Sequence, residues 1–324
     1  MSRYYGLRLW TESDFNHPSN DGNAEKDYNE GKEVKERTIV NMLKRLFGVL
    51  LIGIGLLLLI INVLRMDWLQ ESINGPSVEF SERKVIPSTD LDRIQIRTDI
   101  AHLSVGETGG DEIEVRLRGN MEQEWRDNLR FEVRQEGNQA AIELLLPPNP
   151  KLSFGMSAKE LELDVLLPDK RFEEIDIRSS IGTINIENIQ VDQLQAKTNV
   201  GKISLLEVRG VKTELKTDVG LIFVEKVGGE LDITSNTGKI DVLLEGITSD
   251  VRIKSNTGKV NVYSKNKPSS LKLDLRSDIG RVEVSMKDLD YEENLNREVI
   301  GTIGSGAPLV KIRTNVGKID FEAQ

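Results

Sequence analysis

Two histidines, His17 and His102, are the only imidazoles in a chain of 324 residues, and there is no cysteine. Without cysteine there is no disulfide, no thiolate zinc site and no cysteine nucleophile. Two histidines so far apart supply neither a histidine metal site nor a Ser-His-Asp triad. Carboxylates are plentiful, 53 Asp and Glu against 43 Lys and Arg, for a formal net charge of -10. Paired carboxylates are the usual tool of glycoside cleavage, but Asp176, Glu187, Asp241 and Glu283 fall at outward positions of alternating segments, where they read as a solvated face. The negative balance disfavours nonspecific nucleic-acid binding, which depends on a basic footprint. Gly304-Ser305-Gly306 lacks the Lys-Ser/Thr and the following helix of a phosphate loop. The Gly-Asp nonapeptide of calcium-binding β-rolls is also missing. The expectation is a protein that is not an enzyme and uses no cofactor and no metal.

The residues that do form a pattern are basic, and they belong to a repeat. Ile175–Ile186, Ile-Asp-Ile-Arg-Ser-Ser-Ile-Gly-Thr-Ile-Asn-Ile, recurs as Leu194–Leu205, Thr213–Val224, Leu231–Val242, Val251–Val262, Leu273–Val284 and Val310–Phe321. An early copy, Ile94–Val105, carries Ala101 at the glycine position. The glycines stand at 182, 201, 220, 238, 258, 280 and 317, at spacings of 19, 19, 18, 20, 22 and 37. The residue before the Ser/Thr of each turn is basic in seven of eight copies: Arg97, Arg178, Lys197, Lys216, Lys254, Arg276 and Arg313. The residue after the glycine is basic in five of seven: Lys202, Lys239, Lys259, Arg281 and Lys318. If coils stack about 4.8 Å apart, these residues form two rows flanking one edge. Like charges at that spacing repel, so the rows carry a cost unless counterions or a polyanion lie along them; one reading is a docking edge for an anionic polymer, such as wall teichoic acid or phospholipid headgroups. The competing reading is that the charges block edge pairing and keep the edge soluble.

The elements that hold these rows are strands. Apolar residues alternate on both sides of a Ser/Thr-Asn/Asp-x-Gly turn, which is strand periodicity with one buried face, and Asn, Asp and Gly are the residues that tolerate positive φ. Two short strands per unit at near-constant spacing is the arithmetic of a β-solenoid. A hairpin-built β-sandwich is the rival fold, but it does not explain one turn motif recurring in register. Residues 89–170 alternate less regularly and are expected to form the first coils with longer excursions. Segment 286–307 is an insertion between the last two units. With only Glu322-Ala323-Gln324 after the last strand, either self-association into a homo-oligomer or a cap made by the insertion is expected at that end.

Nearly all the extreme hydrophobicity lies in residues 46–64, where Asn62 is the only strongly polar side chain. As a helix this run spans roughly 28 Å, close to the hydrocarbon thickness of a bilayer. A buried core helix and a cleaved signal peptide are weaker readings, the latter because some 45 residues precede the run and no small-x-small site follows it. Lys32, Lys35, Arg37, Lys44 and Arg45 precede the run, whereas Arg65 stands alone after it until Arg83 and Lys84. The positive-inside rule then places the N-terminus in the cytoplasm and the C-terminal body outside a cell membrane crossed once. The expected organisation is a disordered cytoplasmic tail (1–32), a helix (33–66) containing the span, a linker (67–88) and an extracytoplasmic β-solenoid (89–324). The partners expected are membrane lipid through the span, and an anionic cell-wall polymer or another envelope or membrane protein.

From about Ile94 to Phe321 the chain resembles the bacterial β-strand-repeat family often labelled "putative adhesin", a domain of unknown function that includes LiaG-like membrane proteins. The likeness rests on Leu166-Leu167-Pro168 ahead of the first strong repeat, on the serial Ser/Thr-Asn/Asp-x-Gly-x-Ile/Val turn, and on Gly304-Ser305-Gly306 leading into the last repeat. It implies an all-β, single-stranded parallel β-helix of right hand and an extracytoplasmic location. It brings no catalytic residues. The function expected is a non-catalytic, membrane-anchored envelope protein presenting a solenoid to surface polymer or protein. The alternative is an accessory of envelope-stress signalling acting through the tail or the membrane helix.

Overall fold

In a parallel stack of strands the side-chain period of two sets the core. In Gln190–Leu206, the residues Val191, Leu194, Ala196, Ile203 and Leu205 point inward and are at most 2% exposed. The alternation breaks where two or more consecutive residues face out, at Asp192-Gln193, around Asn199-Val200 and at Leu206-Glu207. Each break is a bend, so one repeat makes one turn of a coil. A rung of this kind cannot bury its apolar residues alone. Each fully buried Leu, Ile or Val is worth roughly 1.5–3 kcal/mol only once neighbouring rungs cover it.

The computed structural model describes residues 77–146 and 161–324. Its strands are β1 (Ser77–Pro87), β2 (Arg93–Thr108), β3 (Glu112–Glu122), β4 (Arg130–Glu136), β5 (Gln139–Leu145), β6 (Leu161–Pro168), β7 (Arg171–Glu187), β8 (Gln190–Leu206), β9 (Arg209–Glu225), β10 (Gly228–Leu244), β11 (Val251–Thr257), β12 (Val260–Ser264), β13 (Leu271–Ser285), β14 (Asp290–Leu295), β15 (Glu298–Ile303) and β16 (Leu309–Ala323). A six-residue helix, α1 (Gln123–Asn128), follows β3. From β2 through β7, β8, β9 and β10 to β11 and β12 the rungs are parallel and in register, so that Ile184, Ile203, Ile222, Ile240 and Val260 form one inward row. The all-β solenoid expected from the repeat is therefore present.

Chain order and spatial order part company at both ends of the stack. β2 lies between β7 and a split rung made of β5, paired to Arg93–Thr98, and β6, paired to His102–Thr108. At the other end β16 sits between β11/β12 and β13. The last repeat in the sequence is thus an interior rung, with β13 beyond it. Antiparallel strands cover both ends. β1 pairs with β3, β3 with β6 and β4 with β5; β15 pairs with β13 and β14 with β15. Segment 286–307 supplies the antiparallel cap at the far end, over β13 and not over the last strand β16, which is interior. β1 occupies the second half of the segment 67–88 expected to be a linker, because Val78, Phe80 and the residues after them extend the sheet beyond β3.

Among the described residues no helix is long and apolar enough to cross a membrane. The tail (1–32), the helix with its span at 46–64, and His17 lie outside the described residues.

One ion cluster ties the near cap together. Glu114 on β3 is buried and accepts hydrogen bonds from the guanidinium groups of Arg83 on β1 and Arg116 beside it. These hydrogen bonds pull its carboxyl down to about 2. A carboxyl whose folded value is depressed stabilises the fold above its unfolded value, and that contribution is lost as pH falls through the folded value. The protection of the β1 amides relative to their intrinsic exchange rates is expected to be steady above about pH 4.5 and to fall progressively toward pH 2. A Glu114→Gln chain should lack that acid limb.

Candidate functional site along the glycine corner

The sharpest bend of each coil is the Ser/Thr-Asn/Asp-x-Gly corner, and the side chains divide there. The Ser or Thr points inward: Thr98, Ser179, Thr198, Thr217, Ser235, Ser255, Thr314 and Ser277 are all at most 6% exposed. Ser179 Oγ donates within its own corner to Ile181 O at 3.3 Å, whereas Ser277 Oγ donates across to Gly317 O of the neighbouring rung at 2.8 Å. The next residue faces out and stacks on its neighbours. Asn236 Nδ2 donates to Asp218 Oδ1 at 2.8 Å, and Asn256 Nδ2 donates to Asn236 Oδ1 at 3.1 Å. The glycines form a column with φ between +138° and +155°. A Cβ on Gly201, Gly220, Gly238 or Gly258 would stand 1.6–1.7 Å from the carbonyl oxygen of the glycine one rung before it. Glycine is therefore required by close backbone approach as well as by φ. Ala101 occupies the same place in β2, and its own carbonyl is what a Cβ on Gly182 would meet, at 2.0 Å.

The residue just before each glycine forms an outward crest along the corner. Ile181, Val200 and Val219 stand on three consecutive rungs and are 45%, 46% and 49% exposed. Thr237 and Thr257 continue the row, then Val316 and Ile279.

The basic residues do line up as two rows beside this crest. Arg97, Arg178, Lys197, Lys216, Thr234, Lys254, Arg313 and Arg276 are successive partners on one side. Lys202, Leu221 and Lys239 are successive on the other, with Lys318 opposite Arg281 further along. The ten candidate residues are not equivalent. Lys239 Nζ lies 2.7 Å from Asp241, and Lys259 Nζ 2.8 Å from Asp320. Lys318 bridges Asp320 at 2.7 Å and Glu283 at 2.8 Å, and Arg281 is 3.5 Å from Glu283. The hydrogen bonds to Asp320 and Glu283 hold the Lys318 ammonium above its ordinary range. Arg313 makes a two-pronged contact with Asp274, 2.7 Å on each oxygen, and Arg276 approaches Asp278 and Glu298. Of the two flanking arginines, Arg178 pairs with Asp176 at 2.9 Å and Arg97 stands 4.0 Å from Glu143. Among the described residues, Lys197, Lys202, Lys216 and Lys254 make no ion pair. The repulsion expected along the rows is thus relieved by carboxylates over much of their length and persists around β8 and β9.

The sequence reasoning missed this division. Its signal was available: a carboxylate two residues beyond the basic residue, as at Asp241, Glu283 and Asp320, lies on the same outward face of the strand.

Among the described residues, little has the geometry of a conventional reaction site. His102 lies on β2 beside Thr183 and is the only imidazole among the described residues. Among the described residues no group of three His, Asp or Glu side chains is placed to hold a metal ion. A hollow of about 80 Å³ lined by Glu174, Gln193, Leu194, Gln195, Lys212 and Glu214 is far smaller than the usual ligand pocket of roughly 300–1,000 Å³.

A stack of in-register parallel rungs, with a glycine corner and antiparallel caps, defines a β-solenoid repeat protein. The Toastrack DUF4097 family model matches residues 91–228 and 137–322, and the chain belongs to that family. No curated protein matches it. Among solved structures, it is similar to a "putative cell adhesion protein" from Clostridium sporogenes, at 15% identity and a TM-score of 0.38, covering 76% of this chain and 100% of that one. It is also similar to a "putative adhesin" from Bacteroides fragilis, at 12% identity and a TM-score of 0.39, covering 75% of this chain and 97% of that one.

Proposed function

We propose that this chain is a non-catalytic, adhesin-like envelope protein, anchored by residues 46–64, that presents its solenoid edge to an anionic phosphate-bearing ligand at the cell surface. The observation that carries the reading is the run of lysines without an ion pair among the described residues, Lys197, Lys216 and Lys254, with Lys202 across the crest. Unpaired lysines one or two rungs apart repel, and a polyanion relieves that repulsion by replacing small counterions. The anchor is supported by the 19-residue apolar run and by the lysines and arginines concentrated on its N-terminal side. With that orientation the solenoid lies outside the cytoplasm. The adhesin names carried by structurally similar proteins agree with this general role.

The test is binding of the full chain, held in neutral-lipid nanodiscs, to purified wall teichoic acid across a salt series. Wild-type affinity should fall steeply with salt. Lys197→Glu/Lys216→Glu/Lys254→Glu should weaken it by roughly 100-fold, at about 1 kcal/mol per cation near an anionic surface. Lys239→Glu/Lys318→Glu removes lysines already matched by carboxylates and should do less. Equal, salt-insensitive binding by all three chains would end the polyanion reading.

A further inference from the structure

The unpaired lysines coincide with an anomaly inside the repeat. After the corner glycine, the two outward positions are Lys and Ser in β8, Lys and Asp in β10, Lys and Asn at β12, Lys and Asp in β16, and Arg and Glu in β13. In β9 they are Leu221 and Phe223. Leu221 is 49% exposed, and Phe223 is half-buried with the Lys202 ammonium 6.0 Å from its ring centre. The crest beside them is apolar on the same rungs, through Val200 and Val219; it turns to Thr237 and Thr257 on β10 and β11, and is apolar again at Val316 and Ile279, where Lys318 and Arg281 are carboxylate-paired. Around β8 and β9 alone, exposed aliphatic crest residues, an apolar outward row and uncompensated lysines on both sides of the crest coincide. Asp218 stands in the Asx ladder beside the crest, and it already accepts from Asn236.

The geometry points to a bilayer surface as the occupant: we infer that this stretch docks on anionic phospholipid, with Val200, Val219 and Leu221 entering the headgroup–acyl boundary and Lys197, Lys202 and Lys216 meeting headgroup phosphates. The inference rests on the phosphate-binding reading of the lysine edge and names its source. A soluble wall polymer offers nothing to the bare Val and Leu side chains, whereas a bilayer offers phosphate outside and hydrocarbon beneath. A second copy of the chain laid on the same patch would bring Lys197, Lys202 and Lys216 against a surface that carries the same three lysines.

The chain contains no cysteine, so Leu221→Cys labelled with an environment-sensitive fluorophore gives one reporter on the crest, and Lys311→Cys gives a reporter on a different outward row. Both full-length chains are reconstituted in nanodiscs whose lipids carry a shallow nitroxide quencher, either all phosphatidylcholine or one-third phosphatidylglycerol. The expected result is strong quenching at 221, little at 311, several-fold weaker quenching in phosphatidylcholine alone, and loss of the effect in Lys197→Glu/Lys202→Glu/Lys216→Glu. Equal quenching at both positions in both lipids overturns the docking. A reporter at 221 that ignores phosphatidylglycerol but responds to added wall teichoic acid overturns it while leaving the proposed function standing. A reporter that responds to neither, with teichoic acid binding also absent, removes both.

Discussion

Gly220→Ala is expected to destroy the cooperative unfolding transition of the solenoid, or to lower its stability by more than about 4 kcal/mol, the range reserved for gross steric or packing failures. A Cβ at this position would lie 1.7 Å from Gly201 O and 2.8 Å from Gly201 C, both backbone atoms of a rung pinned on either side. No rotamer relieves that contact, because the colliding carbon is the first of the side chain. The φ of +155° adds strain for any L residue. The rungs can respond only by separating, which breaks the ladder at the middle of the stack. In a one-dimensional array each rung is stabilised by its neighbours, so the two halves are expected to unfold at different denaturant concentrations. Gly228→Ala is the matched comparison: a Cβ there meets nothing within 4 Å, and a change within roughly 1 kcal/mol is expected. Chemical denaturation followed by far-UV circular dichroism separates the outcomes. A Gly220→Ala chain that unfolds at the wild-type midpoint would show that the column does not need glycine.

The repeat made this corner legible because its cause is local. A glycine, an Asx residue and a Ser/Thr at fixed positions mark a bend, and seven copies in phase leave few alternatives to stacking. The bend formed by Asn188, Glu207 and Lys226 was not legible, although all three share φ of 51–56°. Only Asn among them is a usual left-handed residue. The others are held there by the stack itself, through bonds such as Glu207 N to Glu225 O at 3.1 Å and an ion pair of 2.7 Å between Lys226 and Glu207. The basic rows were legible as rows, since register carries Arg178 onto Lys197 and Lys216. Their neutralisation was only half legible. Lys239 meets a carboxylate of its own strand, but Lys259 meets Asp320 of β16, a neighbour that chain order does not reveal. The crossing-over of rungs at both ends lies beyond local pattern altogether, because β16 has the same repeat signature wherever in the stack it inserts.

That insertion carries the other large effect. Ending the chain after Pro308 removes β16, whose Val310, Ile312, Ile319 and Phe321 are at most 1% exposed. Their burial is worth roughly 6–12 kcal/mol, comparable to the whole net stability of about 5–15 kcal/mol usual for a domain. The loss is worse than trimming an end rung. β11 and β12 lose their outer partner, β13 loses its inner one, and the β13–β15–β14 cap is left joined to the stack by the connection between Ser264 and Leu271. Removing a rung at the true end would expose one new edge; removing β16 exposes two edges that face each other across a one-rung gap. The truncated chain is therefore expected to be largely insoluble or to self-associate through that gap. A synthetic peptide of residues 309–324 supplied during refolding should fill it by strand addition, in parallel register with both neighbours, and restore the wild-type unfolding transition. Phe321→Ala in the full chain tests the same rung more gently, with an expected loss of about 3–5 kcal/mol. If instead the truncated chain refolds alone with wild-type stability, β13 must be able to close onto β11 and β12 directly. The intercalated order would then be one of two near-equal packings, not the one that the fold requires.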